Sequence, residues 1–184
     1  MKYREVYPQD FIEKLNGIND VSGIDGDQSI SGDYIDVEDM LKKLGFTVSK
    51  KSLRTGSGEI DDNIITIDET ENKNRQRFTM AHELGHAFRH ERNAKRNDTS
   101  DGYSSKERQS EIFANAFAAQ LLMPKPLVKK QVTKVVHDLG INMSKISADE
   151  YDQIVTKTAE KMIVSKQAMG YRIQNLKIFV PIGE

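Results

Sequence analysis

The 184-residue sequence contains no cysteine, which excludes disulfides and thiolate metal sites, so any metal ion must be held by histidine, aspartate or glutamate. It has no long apolar run, which excludes a transmembrane helix. The N-terminus, MKYREVYPQDFIEKL, lacks the apolar segment and small-residue cleavage site of a signal peptide. From these absences we expect a cytoplasmic protein that does not enter a membrane. A strong charge of either sign is also missing. The net charge is −1, which argues neither for nor against nucleic acid. From Lys125 onward ten Lys/Arg face six Asp/Glu, a net of +4, leaving −5 on the first 124 residues. The default reading of that basic stretch is a solvated surface. Hydrophobic residues at 37% and charged residues at 30% are ordinary for a chain that buries one core.

Histidine is scarce, four in all, yet three of them fall in one short stretch. RQRFTMAHELGHAFRH, Arg75 to His90, carries no proline. Phe78, Ala81, Gly85 and Phe88 recur at helical spacing, with Met80, Leu84 and Ala87 widening the apolar stripe. Residues four apart stand one turn above each other on a helix, so His82 and His86 project side by side and can bind one ion. Glu83, next to the first histidine, can reach a water at that ion without being a ligand. A pair of surface histidines is the bland alternative; glutamate in second place and the apolar flanks favour the metal.

Around this helix the chain reads as follows. Residues 1–17 predict a short helix with Phe11, Ile12 and Leu15 on its apolar side. The Gly/Asp/Ser-rich stretch to Gly32 predicts loop, and its spacing does not fit a calcium loop. Val37–Leu44 predicts a helix capped by Asp36 and stopped by Gly45. Phe46–Val48 predicts a short strand, and Glu59–Asp68, rich in isoleucine, a second β run. A small antiparallel sheet on the His-bearing helix is expected, with an edge that can take an extended peptide. His90–Ser105 is polar and predicts a mobile loop. The capping box Ser104-x-x-Glu107 opens a long helix ended by Pro124, with Ile112, Ala116, Ala119 and Met123 as one apolar stripe and Phe113, Phe117 and Leu121 beside it. Pro126 opens the next helix and Gly140 closes it. Ser147-x-x-Glu150 caps a helix to about Ile163, a Val164-Ser165 break follows, and Lys166–Asn175 forms the last helix before a strand-like KIFVPI. We expect residues 1–124 to form a core and 125–184 a helical subdomain packed on it.

A catalytic zinc site needs a third protein ligand and an open position for water. Glu111 lies among Ile112, Phe113 and Ala114, where a buried carboxylate needs a compensating cation. Asn115, one turn on, can orient a histidine ring or the carboxylate. The competing reading, Glu107, Glu111 and Asn115 as a solvent stripe, stays open at this point.

Two motifs now carry a resemblance. F-T-M-A-H-E-L-G-H at 78–86 and E-x-x-A-N-x-F-A-A-x-L-L-M-P at 111–124 resemble the ImmA/IrrE family of bacterial and phage zinc metallopeptidases. The V-S-x-x-A-x-x-x-R-[LI]-x-x-L pattern from Val164 to Leu176 is similar too, so the resemblance covers most of residues 36–177. Where family sequences often have an acidic residue before A-N, this chain has Phe113. The resemblance implies an α+β, mainly helical, zincin-like fold with the small sheet on the H-E-x-x-H helix and a helix-turn-helix-like C-terminal part. It also implies a gluzincin-type site with His82, His86 and Glu111 as ligands of one Zn2+ (Mn2+ being the other metal this ligand set admits) and Glu83 as general base. Zinc lowers the pKa of bound water to about 7, and Glu83 would accept its proton and pass it to the leaving amine. Candidate oxyanion donors are Tyr103, Tyr171 and His90; His90 can equally be a helix-end cation. The implied substrate is a helix-turn-helix repressor, cut at a specific site. Rival readings are a DNA-binding module, for which Ala159–Ile173 has the helix–turn–helix profile with Lys166, Gln167 and Arg172 on its second helix, and a repressor-binding protein whose metal is structural or only weakly catalytic. Direct nucleic-acid contact is not expected, since the reading helix carries few base-reading side chains.

Overall fold

The computed structural model describes residues 1–91 and 105–179. The predicted N-terminal helix is two: α1 (Tyr3–Val6) and α2 (Gln9–Asn16). Pro8 separates them, holding Tyr7 extended at φ −124° and ψ 141°, as a residue before proline prefers. After the expected loop, α3 (Val37–Lys43) starts where the Asp36 carboxylate accepts the Asp39 N–H at 3.1 Å and ends at Gly45, φ +82°.

Three strands follow: β1 (Thr47–Lys51), β2 (Gly58–Asp61) and β3 (Ile64–Asp68). The isoleucine-rich run read as one β segment is a hairpin, turned at Asp62, φ +48°. The sheet is mixed where an antiparallel one was expected: in the order β1–β3–β2, β2 pairs antiparallel with β3, and β1 pairs parallel with it. The reason is the hairpin. Because β3 folds back between its neighbours, it runs in the direction of β1. Ile60, Ile65 and Ile67 turn inward to the core.

The H-E-x-x-H helix, α4 (Lys73–Phe88), is capped by Asn72 and buried from Thr79 to Ala87. It packs on α3, on β2 and β3, and most extensively on α5 (Ser105–Leu122). The predicted stripe on α5 needs correction: Ile112 is 63% exposed, and the buried positions are Ser110, Ala114, Phe117, Ala118, Leu121 and Leu122. Contact with α4 decides this face, through Gly85 lying against Ala114. α6 (Lys125–Asp138) begins with a proline in its first turn and ends before Gly140, φ +64°. α7 (Ala148–Met162) has the expected Ser147/Glu150 capping box, and α8 (Lys166–Asn175) follows Ile163, which holds a left-handed φ of +52°. Lys177–Phe179 is turn and bend, not the start of a strand. The rest of KIFVPI, the polar loop from 92 onward, and Ser104 with its capping box lie outside the described residues.

One continuous hydrophobic cluster joins all these elements, from Leu15 and Leu41 through Leu84 and Leu121 to Val132, Ile154 and Met169. Arg77 of α4 crosses it as a tie. Its guanidinium donates to Ile35 O at 2.9 Å and Ile163 O at 3.1 Å, and lies 4.8 Å from the Tyr34 ring centre. It therefore fixes the entry of the site helix against both ends of the chain. Among the described residues no helix is long and apolar enough to cross a membrane.

Candidate metal centre

α4 and α5 run antiparallel, so each turn of one meets a turn of the other. His82 lies opposite Asn115, and His86 opposite Ser110 and Glu111. His82 Nε2 is 3.3 Å from Glu111 Oε2, His86 Nε2 is 3.3 Å from Glu111 Oε1, and the two Nε2 atoms are 3.1 Å apart. Each of the three residues offers a donor atom within 4.8 Å of the others. Both histidines are buried and Glu111 is partly so. Glu111 therefore faces the histidines, and the solvent-stripe reading does not describe it.

The outer ring nitrogens explain why the inner ones face each other. His82 Nδ1 lies 3.1 Å from Asn115 Oδ1, an amide oxygen that only accepts. His86 Nδ1 lies 3.2 Å from Ser110 Oγ and 3.4 Å from Glu91 Oε2, and the Ser110 hydroxyl donates to Glu91 by a short bond. A neutral imidazole whose Nδ1 donates keeps its lone pair on Nε2. Two such lone pairs and a carboxylate meet at the centre, an arrangement that only a proton or a cation relieves. The electrostatics agree. Burial opposes charge on His86, yet the Glu111 hydrogen bond and the charges of Glu83 and Glu111 outweigh it and raise the histidine pKa. Burial likewise opposes the Glu111 carboxylate, but hydrogen bonds and charge from His82 and His86 overcome it and hold that group far below the usual range. Glu91 is also kept ionised against its partial burial, by Ser110, His86 and Arg89. This donor set, two nitrogens and one carboxylate, fits a divalent cation with positions to spare.

Glu83 is fully buried beside His82. β2 passes over it at Gly58, where a Cβ would sit 2.4 Å from Thr79 Cγ2 and 2.9 Å from the Thr66 carbonyl oxygen, with Glu83 Oε1 at 3.6 Å. Only a residue without a side chain lets the strand lie this close to the helix.

A family profile described as "Peptidase_M78: IrrE N-terminal-like domain" matches residues 40–174. The chain belongs to this family. It is 34% identical over 83 residues to the Radiation response metalloprotease IrrE of Deinococcus radiodurans, an alignment that takes in 44% of this chain and 25% of the relative. The chain thus spans about a quarter of the length of the curated relative it matches. A metal ion is what the family name implies, and the His82–His86–Glu111 cluster is where this IrrE-like domain has the donors for one.

Of the remaining sequence candidates, two lie among the described residues. Tyr171 is 61% exposed on α8 and lines a cavity of about 710 Å³ that Phe78, one turn before His82, also lines. His90 is exposed just past the end of α4, φ +61°. Tyr103 lies outside the described residues. Sequence reasoning missed Ser110 and Glu91. Ser110 was legible as the polar residue just before Glu111 on the same helix. Glu91 was hidden because a residue five places past His86 reaches back only if the chain turns left-handed at His90, and the sequence has no glycine there.

Proposed function

We propose that this domain is a metal-dependent endopeptidase, with His82, His86 and Glu111 holding one ion and Glu83 as general base. The observation that carries the reading is the convergence of those three side chains next to a fully buried glutamate. Zinc suits two imidazoles and one carboxylate, with Mn2+ the alternative. When bound, the ion polarises the substrate carbonyl and makes water acidic enough to attack at neutral pH. The protein's own work is different. His82 and His86 are oriented through Asn115 and through Ser110 and Glu91. Glu83, enclosed by α4 and by β2 at Gly58, takes a proton from the attacking water and delivers it to the departing amine. β2 is an outer strand of the sheet, and an extended polypeptide can add to its open side.

The substrate we assign is a helix-turn-helix repressor cut at one site in the cytoplasm, following the family resemblance. A direct DNA-binding role is disfavoured at Arg172, which donates to the Met123 carbonyl oxygen at 2.8 Å and so faces protein, and by the small net charge of −1. The experiment is Glu83→Gln, compared with the wild-type chain on a helix-turn-helix repressor that the wild-type chain cleaves. The variant should bind metal as before and lose cleavage by at least about 100-fold, the usual weight of a general base. If the repressor is still inactivated by Glu83→Gln, the protein acts by binding and the peptidase reading fails.

A further inference from the structure

The end of α4 is built in a way the peptidase reading does not require. The helix stops at Arg89, His90 takes a left-handed φ of +61°, His90 N–H bonds to Ala87 O, and Glu91 N–H bonds back to His86 O, both at 2.9 Å. That is the doubly bonded helix stop normally made with glycine. Here a histidine occupies the left-handed position, at a steric cost that glycine would not carry. The result of the turn is specific: the residue after it is folded back onto the last metal-site histidine.

We propose that Glu91 is a positioning residue, which through this turn and through Ser110 locks the His86 ring with Nδ1 protonated and Nε2 aimed at the metal. The inference rests on the proposed metal site and adds to it a residue outside the H-E-x-x-H motif.

The argument is one of donors and acceptors. The ionised Glu91 accepts only. The Ser110 hydroxyl, 8% exposed, spends its single proton on Glu91, so toward His86 Nδ1, 3.2 Å away, it is an acceptor. Nδ1 must then bear the hydrogen, and Nε2 keeps the lone pair. The other Glu91 oxygen lies 3.4 Å from Arg89 Nε, and Arg89 itself rests on the Phe113 ring of α5 at 5.2 Å. Glu91 is thus held from both sides, by the end of α4 and by the start of α5. His82 is oriented differently, by the neutral amide of Asn115. A carboxylate behind an imidazole also makes it a more basic ligand, and loss of such a partner typically weakens metal binding about 10- to 100-fold. The Glu91 and Asn115 contacts are therefore unequal, and the stronger one falls on His86.

The test is zinc affinity, measured by competition with a chromogenic chelator on the full chain. Glu91→Ala should bind zinc about 10- to 100-fold more weakly, Glu91→Gln should recover only part of the loss because its amide oxygen still accepts but carries no charge, and Ser110→Ala should fall between the wild type and Glu91→Ala. Circular dichroism should show all three as helical as the wild type. A folded Glu91→Ala chain within twofold of wild-type affinity overturns the proposal. Should that variant not fold, imidazole NMR of the wild type decides: Nδ1–H at His86 supports the proposal, and Nε2–H overturns it. A wild-type chain that takes up no zinc sinks the peptidase reading instead, and the His86 tautomer in the metal-free chain at alkaline pH then decides this one by the same criterion.

Discussion

Gly85 sits in the middle of the H-E-x-x-H motif, and replacing it with alanine separates the packing of the site from the stability of the helix. A Cβ on Gly85 would lie 3.1 Å from Ala114 Cα, 3.2 Å from Phe117 Cδ1 and 3.4 Å from Ala114 Cβ. Carbon atoms pack comfortably at about 3.5–4.0 Å, so α5 must back away by about 0.4 Å or more. The backbone of α5 at Ala114 cannot swing aside as a long side chain would. Glu111, one turn earlier, moves with it. Metal–ligand distances tolerate only about ±0.2 Å, so the carboxylate no longer meets both histidines. We expect zinc affinity to fall about tenfold, or about 1.4 kcal/mol.

Folding stability responds differently. Alanine gains about 1 kcal/mol of helix propensity over glycine, while overpacking costs about 1–3 kcal/mol. The metal-free Gly85→Ala protein should therefore melt close to or slightly below the wild type, and most of the loss should appear only when zinc is added. Gly170→Ala is the control. Its nearest neighbour would be Val155 Cγ1 at 3.8 Å, so α8 should gain about 0.5–1 kcal/mol with zinc affinity unchanged. Chelator competition and thermal melts with and without zinc read both quantities. A Gly85→Ala protein that binds zinc as tightly as the wild type would refute the claim that close approach of the two helices sets the ligand geometry.

Two further outcomes follow from the backbone and from the buried tyrosines. Ile163, half-buried and β-branched, holds a left-handed φ of +52° and ψ of +55°. Relief of about 1–2 kcal/mol should exceed the loss of its partial burial, so Ile163→Gly should raise the melting temperature; a lower one would show that the side chain's packing dominates. Tyr3 is pushed up to about 12 by burial, then by the charges of Asp39 and Asp36, and Tyr7 is raised well above its ordinary value by burial and then by Tyr3. A group with a raised folded pKa contributes its full stability below its unfolded value, about 10 for tyrosine, and loses it as pH rises through the folded value. Stability should therefore drop from about pH 10 upward, less steeply in Tyr7→Phe, with two of the six tyrosines ionising late by absorbance. Simultaneous ionisation of all six near the ordinary value would contradict this.

What was legible in the sequence was what depends on one helix at a time. The spacing of His82 and His86, the Asp36 cap, the Ser147/Glu150 box and the bounds of α8 each need only local geometry, and the structure has them where expected. Glu111 was within reach because a carboxylate in an apolar helix demands a partner. The errors arise where a second element decides. The direction of β1 against β3 depends on a hairpin turn at Asp62, whose left-handed conformation no glycine announces. The buried face of α5 depends on Gly85 opposite Ala114, and a periodicity count placed Ile112 inward because it weighs side chains and not the room between backbones.

The same distinction explains why Glu91 escaped notice although it contacts His86 and Ser110. A motif read from spacing assigns roles to residues that share a helix face, and Glu91 shares none with His86. It arrives by a reversal of the chain, held by two backbone hydrogen bonds and by Arg89. The three proposed ligands come from regular helix, whereas the group proposed to orient His86 comes from the way that helix ends. Lengthening α4 by even one residue before the turn would rotate that carboxylate about 100° around the helix axis, away from His86, while leaving H-E-x-x-H untouched. The proposed metal site accordingly depends on where its central helix stops as much as on what the helix contains.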